Sequence, residues 1–158
     1  MYCQAVLRGD DSFEQFKIIL IFFFSFSLSY RYFLIQNIFI KKIQPLPVTD
    51  FSFTHKGIAT DLVTQHYNGL DLKGVFEKMQ NSKYSQKSFL DNHNINTSFD
   101  KNPKNMHHKV FIKDNTTIIT GSFNPSSNAD KSDDENILII SSNFLAGKYL
   151  KEFERVFN

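Results

Sequence analysis

The chain has 158 residues, with 18 Lys plus Arg against 16 Asp plus Glu and a formal net charge of +2. That length suits one domain with a core that needs no staples. The single cysteine, Cys3, excludes an internal disulfide and a cysteine-based zinc site, and the small positive charge is compatible with a phosphate-bearing partner without requiring one.

Phenylalanine is abundant, and much of it lies in a lead covering residues 1–49. Ile18 to Ile40 carries one charge, Arg31, in 23 residues. That is long enough to cross a bilayer, with Lys41 and Lys42 then on the cytoplasmic side. Three features favour a core reading. The unbroken apolar run, Ile18 to Phe24, is seven residues long. Ser25 to Tyr32 alternates polar and apolar, the period of a half-buried strand. Phe13, Phe16 and Leu20 follow Asp10-Asp11-Ser12 at helical spacing. A helix running into a buried strand is the expectation here. The alternative is a membrane anchor over residues 18–40, which would make the protein membrane-associated or exported rather than cytoplasmic.

Lys41 to Asp50 holds two prolines, Pro45 and Pro47, and reads as a connection. A helix is predicted through Ile58, Leu62 and Val63, stopped by Asn68-Gly69. A short strand follows in LDLKGVFE, then a second helix with Tyr84, Phe89 and Leu90 on one side. INTSF is a strand and KNPKN a loop. HKVFIKD and TTIITGS form a strand–turn–strand pair about Asp114-Asn115. A polar loop leads to the apolar strand NILII. The chain closes with a helix whose apolar face is Phe144, Leu145, Tyr149, Phe153 and Val156. Strands alternating with helices predict an α/β layered domain over residues 50–158.

The hairpin region carries the chemistry. His107, Lys109, Asp114, Gly121, Ser122 and Asn124 spell H-x-K-x4-D-x6-G-S-x-N within 18 positions. Residues i and i+2 share a face of a strand, so His107 and Lys109 project together, and His108 and Val110 point the other way. If the next strand pairs with this one, Ser122 and Asn124 reach the same patch. An ammonium, a hydroxyl and an amide then converge on one small volume, a cradle for a tetrahedral oxyanion such as a phosphodiester. A histidine beside it can attack phosphorus if an acceptor holds its other ring nitrogen, and Glu135, heading the strand ENILII, is a candidate for that carboxylate. Singly, each of these residues is ordinary edge or turn chemistry. Their joint spacing points to function.

This pattern resembles the signature of the phospholipase D superfamily. Together with GVFEKMQNSKYSQ, DENILII and YLKEFERVF, it is similar to the small single-motif, phospholipase D-like endonucleases, over about Asp50 to Asn158. The resemblance implies a mixed central β-sheet flanked by helices. It makes His107 the nucleophile that forms a phosphohistidine and Lys109, Ser122 and Asn124 the phosphate-binding positions. Glu135 becomes the brace on the histidine. Asp114 completes the catalytic motif, in the family more as a structural partner than as a proton carrier. That chemistry needs a second histidine to protonate the leaving oxygen. His55, His66 and His93 lack a matching context, so a homodimer with two facing copies of His107 is implied. Neither metal nor organic cofactor is implied.

The substrate is a phosphodiester in nucleic acid or in phospholipid. Lysines 73, 78, 83, 87, 101, 104 and 113 are available to follow a phosphate backbone. A non-catalytic phosphate-binding module is a further alternative. The lead departs from the regular strand–helix–strand of the small nucleases: it is a divergent version, a membrane anchor or the product of an altered coding sequence, and a missing first strand–helix unit would make the chain an inactive pseudoenzyme.

Overall fold

A computed structural model describes residues 2–5, 17–23, 46–50, 53–126, 128–129 and 132–158. Eight strands form one mixed sheet: β1 (Tyr2–Ala5), β2 (Lys17–Phe23), β3 (Leu46–Asp50), β4 (Leu72–Phe76), β5 (Asn96–Phe99), β6 (Lys109–Lys113), β7 (Thr117–Gly121) and β8 (Glu135–Ser141). Their spatial order is β1-β2-β8-β7-β6-β3-β4-β5. β3, β4 and β5 run parallel, joined by crossovers through helices α1 (Lys56–Tyr67) and α2 (Lys87–Asp91). All other pairings are antiparallel. Helix α3 (Asn143–Phe157) closes the chain.

Alternation along the strands divides the core into two layers. Leu72 and Phe76 of β4, Phe111 of β6, Ile119 of β7 and Ile137 of β8 pack with Ile58, Leu62 and Val63 of α1 and Leu90 of α2. Val75, Val110, Ile112 and Ile118 point the other way, into a layer with Ala146, Phe153 and Val156 of α3. His55 caps α1 by accepting the Ile58 N–H at Nδ1, and Gly69, at φ +94°, ends it in the left-handed region that suits glycine. Asp114 and Asn115 both take positive φ, the form of hairpin turn whose twist matches the flanking strands, and Thr116 N–H closes it on Lys113 O at 3.1 Å.

Four sequence expectations are corrected. The helical spacing through Leu20 gives way to strand β2, which pairs with β1 on one side and β8 on the other. An unbroken apolar run suits such a doubly flanked strand, and residues 18–23 are thus sheet rather than helix. The strand expected over 25–32 and the remainder of the 18–40 segment lie outside the described residues. Among the described residues, no helix is long and apolar enough to cross a membrane.

The supposed connection at Lys41–Asp50 ends in β3, a central strand. Pro47 is tolerated because the β6 ladder begins only at Val48, so its missing N–H costs nothing on that side. Helix α2 starts at Lys87, too late to include Tyr84, which is exposed. Phe144 is also exposed, because α3 turns Ala146, Phe153 and Val156 inward and Phe144 falls outside that stripe.

Candidate active site

The motif residues other than Asp114 gather along one edge of the sheet. Lys109 opens β6, Gly121 closes β7 and Glu135 opens β8, and antiparallel pairing brings these three strand ends side by side. Asp50, the last residue of β3, pairs with Lys109 and Phe76, so the carboxyl ends of the parallel strands meet the same edge. Loops leaving β4, β5 and β7 all emerge there.

His107 precedes β6 rather than lying in it, so the strand rule is not what aligns it with Lys109. The two converge nonetheless. Lys109 Nζ is 3.1 Å from His107 Nε2 and 3.5 Å from His107 O. Lys109 is only 8 % exposed whereas His107 is exposed, so the ammonium forms the floor of the site and the imidazole its rim. A buried ammonium needs polar partners, and these contacts supply them. His108 lies near Glu152 of α3, in whose lowered pKa it is the smallest contributor. Glu152 itself is held below the usual carboxylate range mainly by its hydrogen bond from Arg155.

Ser122 Oγ donates to the Glu135 carboxylate and accepts from Asn136 N–H at 3.0 Å and Asn136 Nδ2 at 3.2 Å. One donor and two acceptor positions are thereby all engaged. Asn124 lies two residues on, in a loop tied down where Pro125 O accepts the N–H groups of Thr54 and His55 at 2.9 and 2.8 Å. Its Oδ1 is buried and makes no hydrogen bond among the described residues. That oxygen is an acceptor, so it is the Nδ2 group of the same amide that would donate to a phosphate oxygen.

Asp114 stands apart from this group. It sits in the turn at the far end of β6, five strand residues from Lys109, about 16 Å at the usual rise. Burial pushes its carboxyl above the ordinary aspartate range, partly opposed by Lys113, and Oδ1 is buried with no hydrogen-bond partner among the described residues. Its place fits a structural part in the hairpin and keeps it from direct contact with a group bound at Lys109.

Of the lysines considered for phosphate, Lys83 and Lys104 are exposed on loops at the site edge and Lys78 on the 3-10 turn there, while the exposed Lys101 donates to Asn158 O. Lys73 and Lys113 lie toward the other end of their strands. Lys87 is buried and paired with Asp91 at 2.8 Å, so it is not free to track a backbone. Sequence reasoning missed Asn136, which fixes the Ser122 hydroxyl, and Glu77, whose buried carboxylate reaches the residue preceding His107. Among the described residues, no group of three His, Cys, Asp or Glu side chains is arranged to hold a metal.

Comparison with known proteins agrees with this layout. Residues 41–157 match a family model described as cardiolipin synthase, phospholipase D-like domain. A phospholipase D of Rickettsia felis is 34 % identical over 97 residues, 61 % of this chain and 48 % of that protein. A mitochondrial cardiolipin hydrolase of Xenopus laevis is 30 % identical over 107 residues, 67 % of this chain and 51 % of that protein. The chain thus spans about half the length of the curated relatives it matches. Among solved structures, the phospholipase D family member Nuc from Salmonella typhimurium superposes with a TM-score of 0.80 at 26 % identity, covering 90 % of this chain and 95 % of that one. NucT from Helicobacter pylori, at 21 % identity and a TM-score of 0.78 over 89 % of this chain and 95 % of that one, shares the fold. With the family model covering most of its length and the family's sheet around the His107–Lys109 edge, the chain belongs to the phospholipase D superfamily.

Proposed function

We propose that this protein hydrolyses phosphodiesters through a phosphohistidine, without a metal, and that its substrate is nucleic acid. The contact between the His107 imidazole and the buried Lys109 ammonium carries the reading. A non-bridging phosphate oxygen entering between Lys109, Ser122 and Asn124 brings phosphorus to His107 Nε2. The nitrogen attacks, an N–P bond forms, and the P–O bond to the leaving oxygen breaks as a second histidine delivers a proton to that oxygen. The same histidine then takes a proton from water, which attacks phosphorus, breaks the N–P bond and releases His107.

Ser122 has only one O–H to give. Phosphate binding therefore replaces Glu135 as its acceptor and frees that carboxylate to brace His107 Nδ1. The second histidine is His107 of a second copy. The exposed Lys78, Lys83 and Lys104 at this edge supply charge along a nucleic-acid backbone. A phospholipid substrate is the second reading, favoured by the names of the phospholipase D and cardiolipin hydrolase relatives.

Cleavage of a bis-aryl phosphodiester should persist in EDTA and be blocked by vanadate. His107→Ala should abolish it, and His108→Ala should leave most of it. Equal loss from both substitutions would undo the assignment. DNA, RNA and phosphatidylcholine assayed side by side distinguish the two substrate classes.

A further inference from the structure

Glu77 follows β4 at the site edge and is 5 % exposed. Its Oε1 accepts Met79 N–H at 2.8 Å, capping the short 3-10 turn Lys78–Gln80. A serine or aspartate would serve for that alone. Its other oxygen, Oε2, accepts the N–H of Met106, a residue 29 positions away. Met106 is itself buried, packed with Val75 and Val110 in the layer under α3, and the next residue is His107.

The chain between β5 and β6 has no regular structure to hold it. Its first part is fixed at Asp100, whose N–H donates to Phe76 O at 2.9 Å and whose Oδ1 accepts Asn102 N–H at 3.0 Å. Its last part is held by the Glu77–Met106 bond. A buried carboxylate is costly unless donors surround it, so a fold that keeps one here, bonded to two backbone N–H groups, is using it as a clamp.

We propose that Glu77 is a positioning residue for His107: its carboxylate fixes the Met106 amide, and through it sets the imidazole against Lys109 Nζ. This rests on the reading of His107 as the reacting side chain. Loosening the clamp widens the arc over which the ring swings while leaving the phosphate cage intact, so turnover suffers more than substrate binding.

The test is Glu77→Gln, nearly the same shape but with one acceptor oxygen replaced by an amide group. Amide hydrogen exchange at Met106 should accelerate by about tenfold or more, and kcat per folded molecule should fall about tenfold with KM within about twofold of wild type. A purely structural role would lower the melting temperature and the folded fraction but leave kcat per folded molecule unchanged. Unaltered exchange at Met106, or faster exchange with unaltered kcat, overturns the proposal. A wild-type chain that cleaves no phosphodiester sinks the functional reading instead, and the exchange rate then still decides whether Glu77 is a clamp.

Discussion

At Gly121 an added methyl group would lie 2.2 Å from the carbonyl oxygen of Asn136, and φ there is +154°, a conformation that side chains resist. The obstacle is backbone on the neighbouring strand β8, which cannot swing aside. This close approach also lets Ser122 N–H reach Asn136 O at 3.2 Å and presents Ser122 Oγ to Glu135 and Asn136. Gly121→Ala should therefore destabilise the fold by at least about 2 kcal/mol, measured by denaturant unfolding, and impair the site as well. Asp114 makes a contrasting prediction. Burial raises its carboxyl pKa in the folded state, so between the ordinary aspartate value and that raised value the folded chain holds a proton the unfolded chain has lost. Its contribution to stability then falls as pH rises through this window. Asn keeps the turn, since it too tolerates the positive φ. Asp114→Asn should melt at the wild-type temperature below the ordinary aspartate range and above it at higher pH, the gap growing until the folded-state carboxyl is ionised and then levelling off.

Among the elements, α3 depends on a single cap. Ser142 Oγ accepts Leu145 N–H at 3.1 Å, and Ser142 N–H donates to Thr116 O at 2.7 Å, docking the helix start on the β6–β7 turn. Ser142→Ala keeps the second bond and loses the first, and should cost about 1 kcal/mol in chemical denaturation with little change in turnover. The helices and the hairpin were legible because their signals are local: a periodic apolar stripe, Asn68-Gly69 as a stop, Asp114-Asn115 as a turn. The motif was legible for the same reason, lying within one hairpin and its flanks. Strand β2 was misread because Phe13, Phe16 and Leu20 mimic a helical period, whereas its strand state is set by β1 and β8, far away in sequence. β3 was read as part of a connection because a proline normally speaks against a central strand, and its register with β6, which begins only at Val48, could not be read locally. Glu77 left no trace at all: its distant partner is a backbone N–H, which every residue but proline has.

On the scale of the whole molecule, the proposed mechanism requires a second histidine. All five histidines lie within the described residues, and four are placed elsewhere or engaged. His66 Nδ1 lies 3.1 Å from Leu70 O and His93 Nδ1 2.7 Å from Phe89 O, while His108 lies near Glu152 of α3. His55, at the start of α1 beside Pro125, is the in-chain alternative, but its Nδ1 is committed to capping the helix. In the proposed reading a shared site in a symmetric pair supplies the second histidine, because each copy brings the His107 the other lacks. Dilution by an inactive partner reads this directly. If wild-type chains are refolded with a threefold excess of His107→Ala chains, most wild-type copies end in mixed pairs holding one histidine where two are needed. Activity per wild-type chain should drop to about one quarter, since only pairs of two wild-type copies turn over. A monomer using His55 would keep its full activity in the same mixture, and would lose it instead on His55→Asn.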